Sequence, residues 1–284
     1  MTPLRQKMID TMVLKGLSPA TQQTYLYAVA KVARHFNRSP DRIAVDELER
    51  YVLHLLTDQH LAAASVRLVV NGMRFLNHQV LQRPPTLYAV RYPRQPQRIP
   101  ELLTRDEVGR ILAETANLKH ATMFATAYAL GLRVSELLHL RVADIDSTRH
   151  WVHIRQGKGG KDRTVILPDT LLQWLRRYWL AYRPREWLFY GAEPSRPLDR
   201  TTLAKAFHRA KTAAGVHKQG SLHSLRHAYA THQLEAGMPT YKLQQLLGHG
   251  DLKSTLRYIH WLPTHVQQGN LGSDLLHDCQ EERP

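Results

Sequence analysis

Apolar positions recur at helical spacing through most of this chain and alternate at strand spacing in one short region. Ser18-Pro19 predicts a helix start, with serine at the N-cap and proline in the first turn. Tyr25, Val29, Val32, Ala33 and Phe36 then share one face. Residues 45–58 carry a second stripe of Leu48, Val52, Leu55 and Leu56. Val66, Val69, Val70, Met73 and Leu76 mark a third. With a first helix around residues 4–14, these predict a four-helix domain over residues 1–82 that contains no strand pattern. Residues 83–100 interrupt it. Pro84, Pro85, Pro93, Pro96 and Pro100 forbid a continuous helix there, and an interdomain linker is expected.

Beyond the linker, Thr104 and Glu107 form a capping box that opens the next helix. A helix over 121–130 stops at Gly131. Residues 151–156 and 163–167 alternate like strands around the turn Gly157-Lys158-Gly159-Gly160. Helices follow near 169–182, 200–213, 223–236, 240–247 and 252–260, which makes 101–262 a second domain. Residues 263–284 form a weakly patterned, slightly acidic tail. The fold class expected is mainly α with a small antiparallel β-sheet.

Length and composition agree with this picture. At 284 residues and 43% hydrophobic content, the chain can bury two cores. Its formal charge of +15 changes the picture more, because such an excess points to a polyanion, nucleic acid or an anionic membrane. No apolar run approaches the roughly 18 residues that span a bilayer, so no membrane partner is expected. Residues 1–100 carry 14 basic against 6 acidic residues, a denser excess than the 25 against 18 of the remainder. Arg83, Arg91, Arg94 and Arg98 lie in the Pro-rich stretch with no acid among them. Arg91, Arg94 and Arg98 are therefore expected to meet phosphates. A single cysteine, Cys279, excludes an intramolecular disulfide framework and a thiolate metal cluster. The first residues lack the apolar core of a signal peptide, and a reducing, cytoplasmic setting is expected.

The candidate chemistry lies in the back half. Arg133 follows Gly131-Leu132 at a helix–helix turn, where a guanidinium fits phosphate oxygens and Glu136 can orient it. Lys158 sits at the hairpin tip, with Lys161 and Arg163 on the returning strand as DNA-backbone contacts. His223 and Arg226 share a helix face. His227 makes an i, i+4 pair with His223, but no HExxH accompanies it, and Arg226 would repel a zinc ion. His249 follows Leu246-Leu247-Gly248, and Tyr258 comes nine residues later. Each piece alone has an ordinary explanation: an ion-paired arginine, a solvated turn lysine, a core tyrosine. Together they surround one phenol with positive charge. A phenol of pKa near 10 needs such surroundings to attack a phosphodiester. No cofactor is expected.

GLRVSEL, GKGGKDR, HSLRHAYATH, LLGH and TLRYIH follow in the order and approximate spacing of the tyrosine recombinase motifs. Over essentially its whole length the chain resembles that family, of the phage-integrase and Xer type. The resemblance implies a SAM-like, core-binding N-terminal domain and an α+β catalytic domain that close as a clamp on double-stranded DNA. It implies that Tyr258 attacks the scissile phosphate to form a 3′-phosphotyrosine, and that Lys158 protonates the leaving 5′-oxygen. Arg133 and Arg226 would clamp the non-bridging oxygens, His223 would act as acid/base, and His249 would donate to the phosphate. Neither metal nor ATP is implied. A homotetramer working on two specific recombination sites is, with residues 263–284 docking on a neighbouring subunit. The GKGGKDR turn is similar to that of integron integrases, but their extra helical insertion is missing before HSLRH. A transposon- or insertion-sequence-associated element is expected instead. Two other readings share these features: a type IB topoisomerase-like enzyme relaxing DNA as a monomer, and a non-catalytic DNA-binding relative. The small helical N-terminal domain argues against the first, and the intact tyrosine with all its partners against the second.

Overall fold

Prolines in the first turn begin both opening helices, because their missing N–H would have no intrahelical partner there. Pro3 begins α1 (Pro3–Leu14), and Pro19 begins α2 (Pro19–Phe36), whose cap Ser18 accepts from the Thr21 N–H. α3 (Val45–Thr57) and α4 (Ala63–Phe75) follow, and α4 runs on into a π-helical turn, Leu76–Val80. This is a computed structural model, and it describes residues 2–90, 100–155 and 162–261. The chain forms two compact units, Met1–Arg98 and Ile99–Pro284.

In the first unit the predicted stripes meet. Val29, Val32, Leu48, Leu55, Val66, Val70 and Met73 are buried in one core with Met8 and Met12 of α1. Residues 83–90 pack on this unit as well. The Arg83 guanidinium donates to the Oδ1 of buried Asn77 and to the Asp41 carbonyl, and Arg74 donates to the carbonyl of Val90, itself buried in the core. These arginines satisfy polar atoms that would otherwise be buried without partners. Arg91, Arg94 and Arg98 lie outside the described residues.

The second unit begins with α5 (Arg105–Ala113). Its cap is the predicted box, in which Thr104 Oγ1 accepts from the Glu107 N–H and Glu107 accepts from the Thr104 N–H. α6 (Leu118–Ala129) starts three residues before the expected position, at an Asn117 cap that periodicity does not reveal. Ala121 to Ala127 are all buried, Thr122 and Thr126 included, so this stretch of the helix is covered on every side and runs through the core. α7 (Val134–Leu138) is one short segment after it. β1 (Ile145–Asp146), β2 (Trp151–Ile154) and β3 (Arg163–Ile166) form an antiparallel sheet in the order β1-β2-β3. The register pairs Val152 with Val165 and turns both inward. β1, at two residues, is too short for any alternation to announce it. α8 (Asp169–Tyr182), α9 (Arg200–Ala213), α10 (His223–Glu235), α11 (Thr240–Leu247) and α12 (Lys253–Ile259) complete the unit.

Gly131 stops α6 with φ +59°, a left-handed conformation that side chains resist. A Cβ there would also stand 2.4 Å from the Tyr229 ring and 3.1 Å from Leu247. The chain can therefore turn from α6 into Arg133 only through glycine, pressed between α10 and α11. Gly131→Ala is expected to destabilise the second unit by about 2 kcal/mol or more, the left-handed strain plus the clash. Gly109→Ala on exposed α5, with open space around its Cβ, is expected to be neutral or to stabilise by up to ~1 kcal/mol. Urea unfolding of the two variants checks the contrast.

Candidate active site

The site is built at the C-terminal end of α11. The last carbonyls of a helix have no partner within it and carry the negative end of its dipole. Here three consecutive ones each receive a different arginine. Leu246 O accepts from Arg163 Nε at 2.7 Å, Leu247 O from Arg226 Nη2 at 2.8 Å, and Gly248 O from Arg133 Nη2 at 3.1 Å. Gly248 caps the helix at φ +62°, and a Cβ in its place would meet Arg163 at 3.1 Å. Arg226 also donates to Gly131 O at 2.7 Å, which ties the α6 turn to the same centre.

Glu136 of α7 stands among these guanidiniums with 3% of its side chain exposed. It accepts from the Arg133 N–H at 2.9 Å and from Arg133 Nη1 at 2.6 Å. Arg163 meets it side-on, with both terminal nitrogens at 2.8 Å. Arg226 Nη1 lies 3.8 Å away. Burial alone would push this carboxylic acid up. The hydrogen bonds and charge of Arg163, with those of Arg133, hold it down at about 2. Three guanidiniums against one carboxylate leave a surplus of two positive charges at the head of the cleft. Arg226, 1% exposed, is the largest fully buried side chain described; its burial and the charge of Arg133 bring it down to about 10.

The aromatic side of the cleft belongs to α10 and α12. His249 Nε2 lies 3.0 Å from Arg226 Nη2, which can only donate, so Nε2 accepts. Its Nδ1 then carries the hydrogen toward Thr255 Oγ1 at 2.8 Å. Thr255 and Tyr258 lie three apart on α12 and so share a face. The His249 ring stacks on Tyr258 with a 7° interplanar angle. Tyr258 is 4% exposed, and its hydroxyl lies 3.3 Å from His227 Nδ1. Burial raises the phenol, and the charge of Arg226 opposes that rise. Trp261 packs edge-on against both Tyr258 and His227. The His223 ring stands 4.5 Å from that of His227. Burial and the neighbouring charges lower all three histidines, His249 to about 4 and His227 to about 3, with burial the largest cause in each case. The enclosing cleft measures about 1010 Å³.

The structure thus gathers Arg133, His223, Arg226, His249 and Tyr258 around one cleft. Lys158 and Lys161 lie outside the described residues. Arg163, expected as a DNA-backbone contact, has a different place. Its side chain is 9% exposed and is bound to Glu136 and the end of α11, because the β3 register turns it inward at the strand's first residue. His227 and Thr255 were not among the predicted site residues. His227 carried a signal, its place one turn from His223; the reach of Thr255 to His249 had none.

Among the described residues, no three His, Cys, Asp or Glu side chains gather where a metal ion could be held. No described helix is long and apolar enough to cross a membrane.

Comparison with known proteins gives a consistent answer. The profile of the phage integrase family matches residues 101–265, and that of the phage integrase N-terminal SAM-like domain matches residues 4–86. The Sinorhizobium fredii protein y4qK, which bears an integrase/recombinase name, is 40% identical over 262 residues, covering 91% of this chain and 84% of that one. The tyrosine recombinase XerD of Yersinia pestis is 31% identical over 288 residues, covering 94% and 95%. The crystal structure of the XerH site-specific recombinase bound to palindromic difH substrate, in a post-cleavage complex, superposes with a TM-score of 0.71. The identity is 18%, over 93% of this chain and 82% of that one.

Replacing Glu136 by Gln leaves three buried guanidiniums uncompensated and is expected to destabilise the second unit by about 3–5 kcal/mol in urea unfolding. The sign of the acid dependence follows from the lowered pKa. The carboxylate's contribution is complete above its ordinary value of 4.5 and is lost as pH falls toward about 2. An unfolding series across that window should show a steeper loss for the parent protein than for the Gln variant.

Proposed function

Because the chain belongs to the phage integrase family, we propose that it is a site-specific DNA recombinase that cuts and rejoins double-stranded DNA through a phosphotyrosine at Tyr258. The observation that carries this reading is the pairing of a buried phenol with a surplus of two positive charges in one cleft. That surplus suits a phosphodiester, whose own charge it offsets, and it favours the additional charge that builds as the phosphorus becomes five-coordinate.

The roles divide as follows. Tyr258 Oη attacks phosphorus, and the 5′-oxygen leaves with the bonding electron pair. Lys158, which falls between β2 and β3 in the sequence, protonates that oxygen. Arg133, with 19% of its side chain still exposed, faces the cleft and holds a non-bridging oxygen. Arg226 supports the other with the donors not already held by Gly131, Leu247 and His249. His223 acts as acid/base beside the phosphate. His249 begins as an acceptor from Arg226. The charges of Arg226 and Arg133 are among the causes that lower its affinity for a proton. A bound phosphate offsets those charges, restores that affinity, and lets Nε2 donate to the phosphate. The covalent link retains the energy of the broken bond, so rejoining needs neither ATP nor a metal.

The larger assembly is a homotetramer on two recombination sites in the cytoplasm, and the chain serves a mobile element. The integrase/recombinase name of y4qK supports the link to a mobile element, and the DNA-bound state of XerH supports DNA as the partner. Lys161, Arg91, Arg94 and Arg98 contribute phosphate contacts, and residues 263–284 reach a neighbouring subunit.

The test is covalent capture. A nicked duplex drawn from the DNA flanking the gene loses a short 5′ fragment on cleavage, and this traps the protein on the strand. The parent protein is expected to give an adduct that survives denaturation, and sequencing its junction identifies the site. Tyr258→Phe should give none while binding the same duplex within about threefold, the phenol being a small part of a phosphate-dominated interface. An adduct with the Phe variant would overturn the assignment. Relaxation of a plasmid that carries a single site, without any requirement for pairing, would favour the topoisomerase reading.

A further inference from the structure

We propose that Arg257 receives the phosphate next to the scissile one on the cleaved strand, and so shields the phenol of Tyr258 from that phosphate's charge. The inference rests on the nucleophile assignment above and adds a residue to it. α12 turns one face to the cleft. Ser254, Arg257, Tyr258 and Trp261 all line it, and their spacings of three, one and three make a single helical stripe. Tyr258 on that stripe is buried, whereas Arg257, one residue before it, is exposed. Arg257 therefore stands at the open side of a cleft whose interior holds Arg226 and the phenol.

Arg257 differs from the three arginines of the buried cluster. Each of those has a carbonyl at the end of α11. Among the described residues, no ion pair or hydrogen bond commits the Arg257 guanidinium to such a partner. The carboxylates near it are engaged elsewhere. Glu136 is shared by three guanidiniums. Asp251 Oδ1 accepts from the Lys253 N–H at 2.9 Å, at the start of α12. Asp162, also on the cleft wall, lies 3.2 Å from His153 Nε2. The charge of Arg257 still reaches the nucleophile. Burial is the main influence raising the phenol, and Arg257 stands with Arg226 and Arg133 among the charges that oppose it.

A DNA strand cannot bring one phosphate alone into this cleft. Each strand carries a charge about every 3.4 Å along the helix axis, so the scissile phosphate arrives with a charged neighbour on either side. The surplus of two positive charges at the head of the cleft serves the scissile phosphate and the charge that builds on it. A flanking phosphate close to the phenol works against the reaction, because its charge disfavours the negative charge that Tyr258 Oη gains as its proton leaves. A cation beside the phenol, on the open side where the strand passes, offsets that charge. Because Arg257 and Tyr258 are consecutive on one helix, the same contact also keeps the strand in register with the phenol.

The test uses the full-length protein and the nicked duplex that carries the captured junction, with the nick placed beyond both phosphates that flank the scissile one. In two further duplexes, one or other of these flanking phosphates is replaced by an uncharged methylphosphonate. Binding and single-turnover cleavage are measured for the parent, Arg257→Ala, Arg257→Lys and Tyr258→Phe. On the unmodified duplex, Arg257→Ala is expected to cleave about tenfold or more slowly than the parent, the usual weight of a hydrogen bond to a charged group. The slope of its log affinity against log salt should fall by about one. Arg257→Lys keeps the charge and should stay within about threefold of the parent. On at least one methylphosphonate duplex, the gap between the parent and Arg257→Ala should close to within about twofold, because the partner of the guanidinium is gone. A gap that stays the same on all three duplexes overturns the proposal. So does Arg257→Ala cleaving unmodified DNA at the parent rate, and so does Arg257→Lys proving as slow as Arg257→Ala. In those cases a normal adduct from the parent leaves the nucleophile assignment standing. Absence of adduct from the parent, or its presence with Tyr258→Phe, places the fault in that assignment instead, and the proposal falls with it.

Discussion

The ion cluster around Glu136 is the constraint on which the second unit depends. Three guanidiniums cannot share so small a buried volume without a counter-charge, and one carboxylate supplies it for all of them. Burying charges in this way is costly compared with an apolar core, and the cluster makes sense through what it leaves over. Because one carboxylate cannot neutralise three guanidiniums, the excess is fixed in place before any ligand arrives. Donors held in advance need no reorganisation as charge develops on a substrate, which is where such a site gains over water. The end of α11 completes the arrangement by giving each arginine a carbonyl, so that their directions are set as well as their charges.

Much of this could be read from the residue order, for reasons that differ by element. The stripes of α2, α3 and α4 have one apolar face each, and such helices declare themselves. α6 is buried all round along residues 121–127, so its pattern marked a helix but not where the helix began; the Asn117 cap decided that. β1 exists only because β2 lies beside it. Within the site, Arg133, Arg226, His249 and Tyr258 were legible because each sits in a motif with its own local geometry. Arg163 was misplaced because a charged residue beside a glycine-rich turn looks exposed, and only the tertiary fold reveals the carboxylate waiting for it on α7. His227 was weighed as half of a metal pair and set aside. The contact that gives it meaning joins residues 31 positions apart, a separation that no local pattern spans.

Tyr258, the proposed nucleophile, is held almost out of solvent. A tyrosine 4% exposed and flanked by His227, His249 and Trp261 has little access to water. Water held away from the phenol is also held away from a phosphotyrosine formed there. In the proposed reaction, a covalent intermediate that waits for a second strand would gain from that exclusion, since hydrolysis would leave a broken DNA strand. Thr255 contributes on the same helix, because its hydroxyl accepts the Nδ1 hydrogen that the Arg226 contact leaves on the histidine stacked against the phenol.

The glycine that ends α11 has one more consequence. Its carbonyl holds Arg133 and its missing side chain makes room for Arg163, while only four residues separate it from the start of α12. The helix of Tyr258 and the seats of Arg133 and Arg163 are therefore joined through a single glycine. In the proposed reaction, a displacement of the tyrosine helix would also disturb the two arginines seated at Gly248.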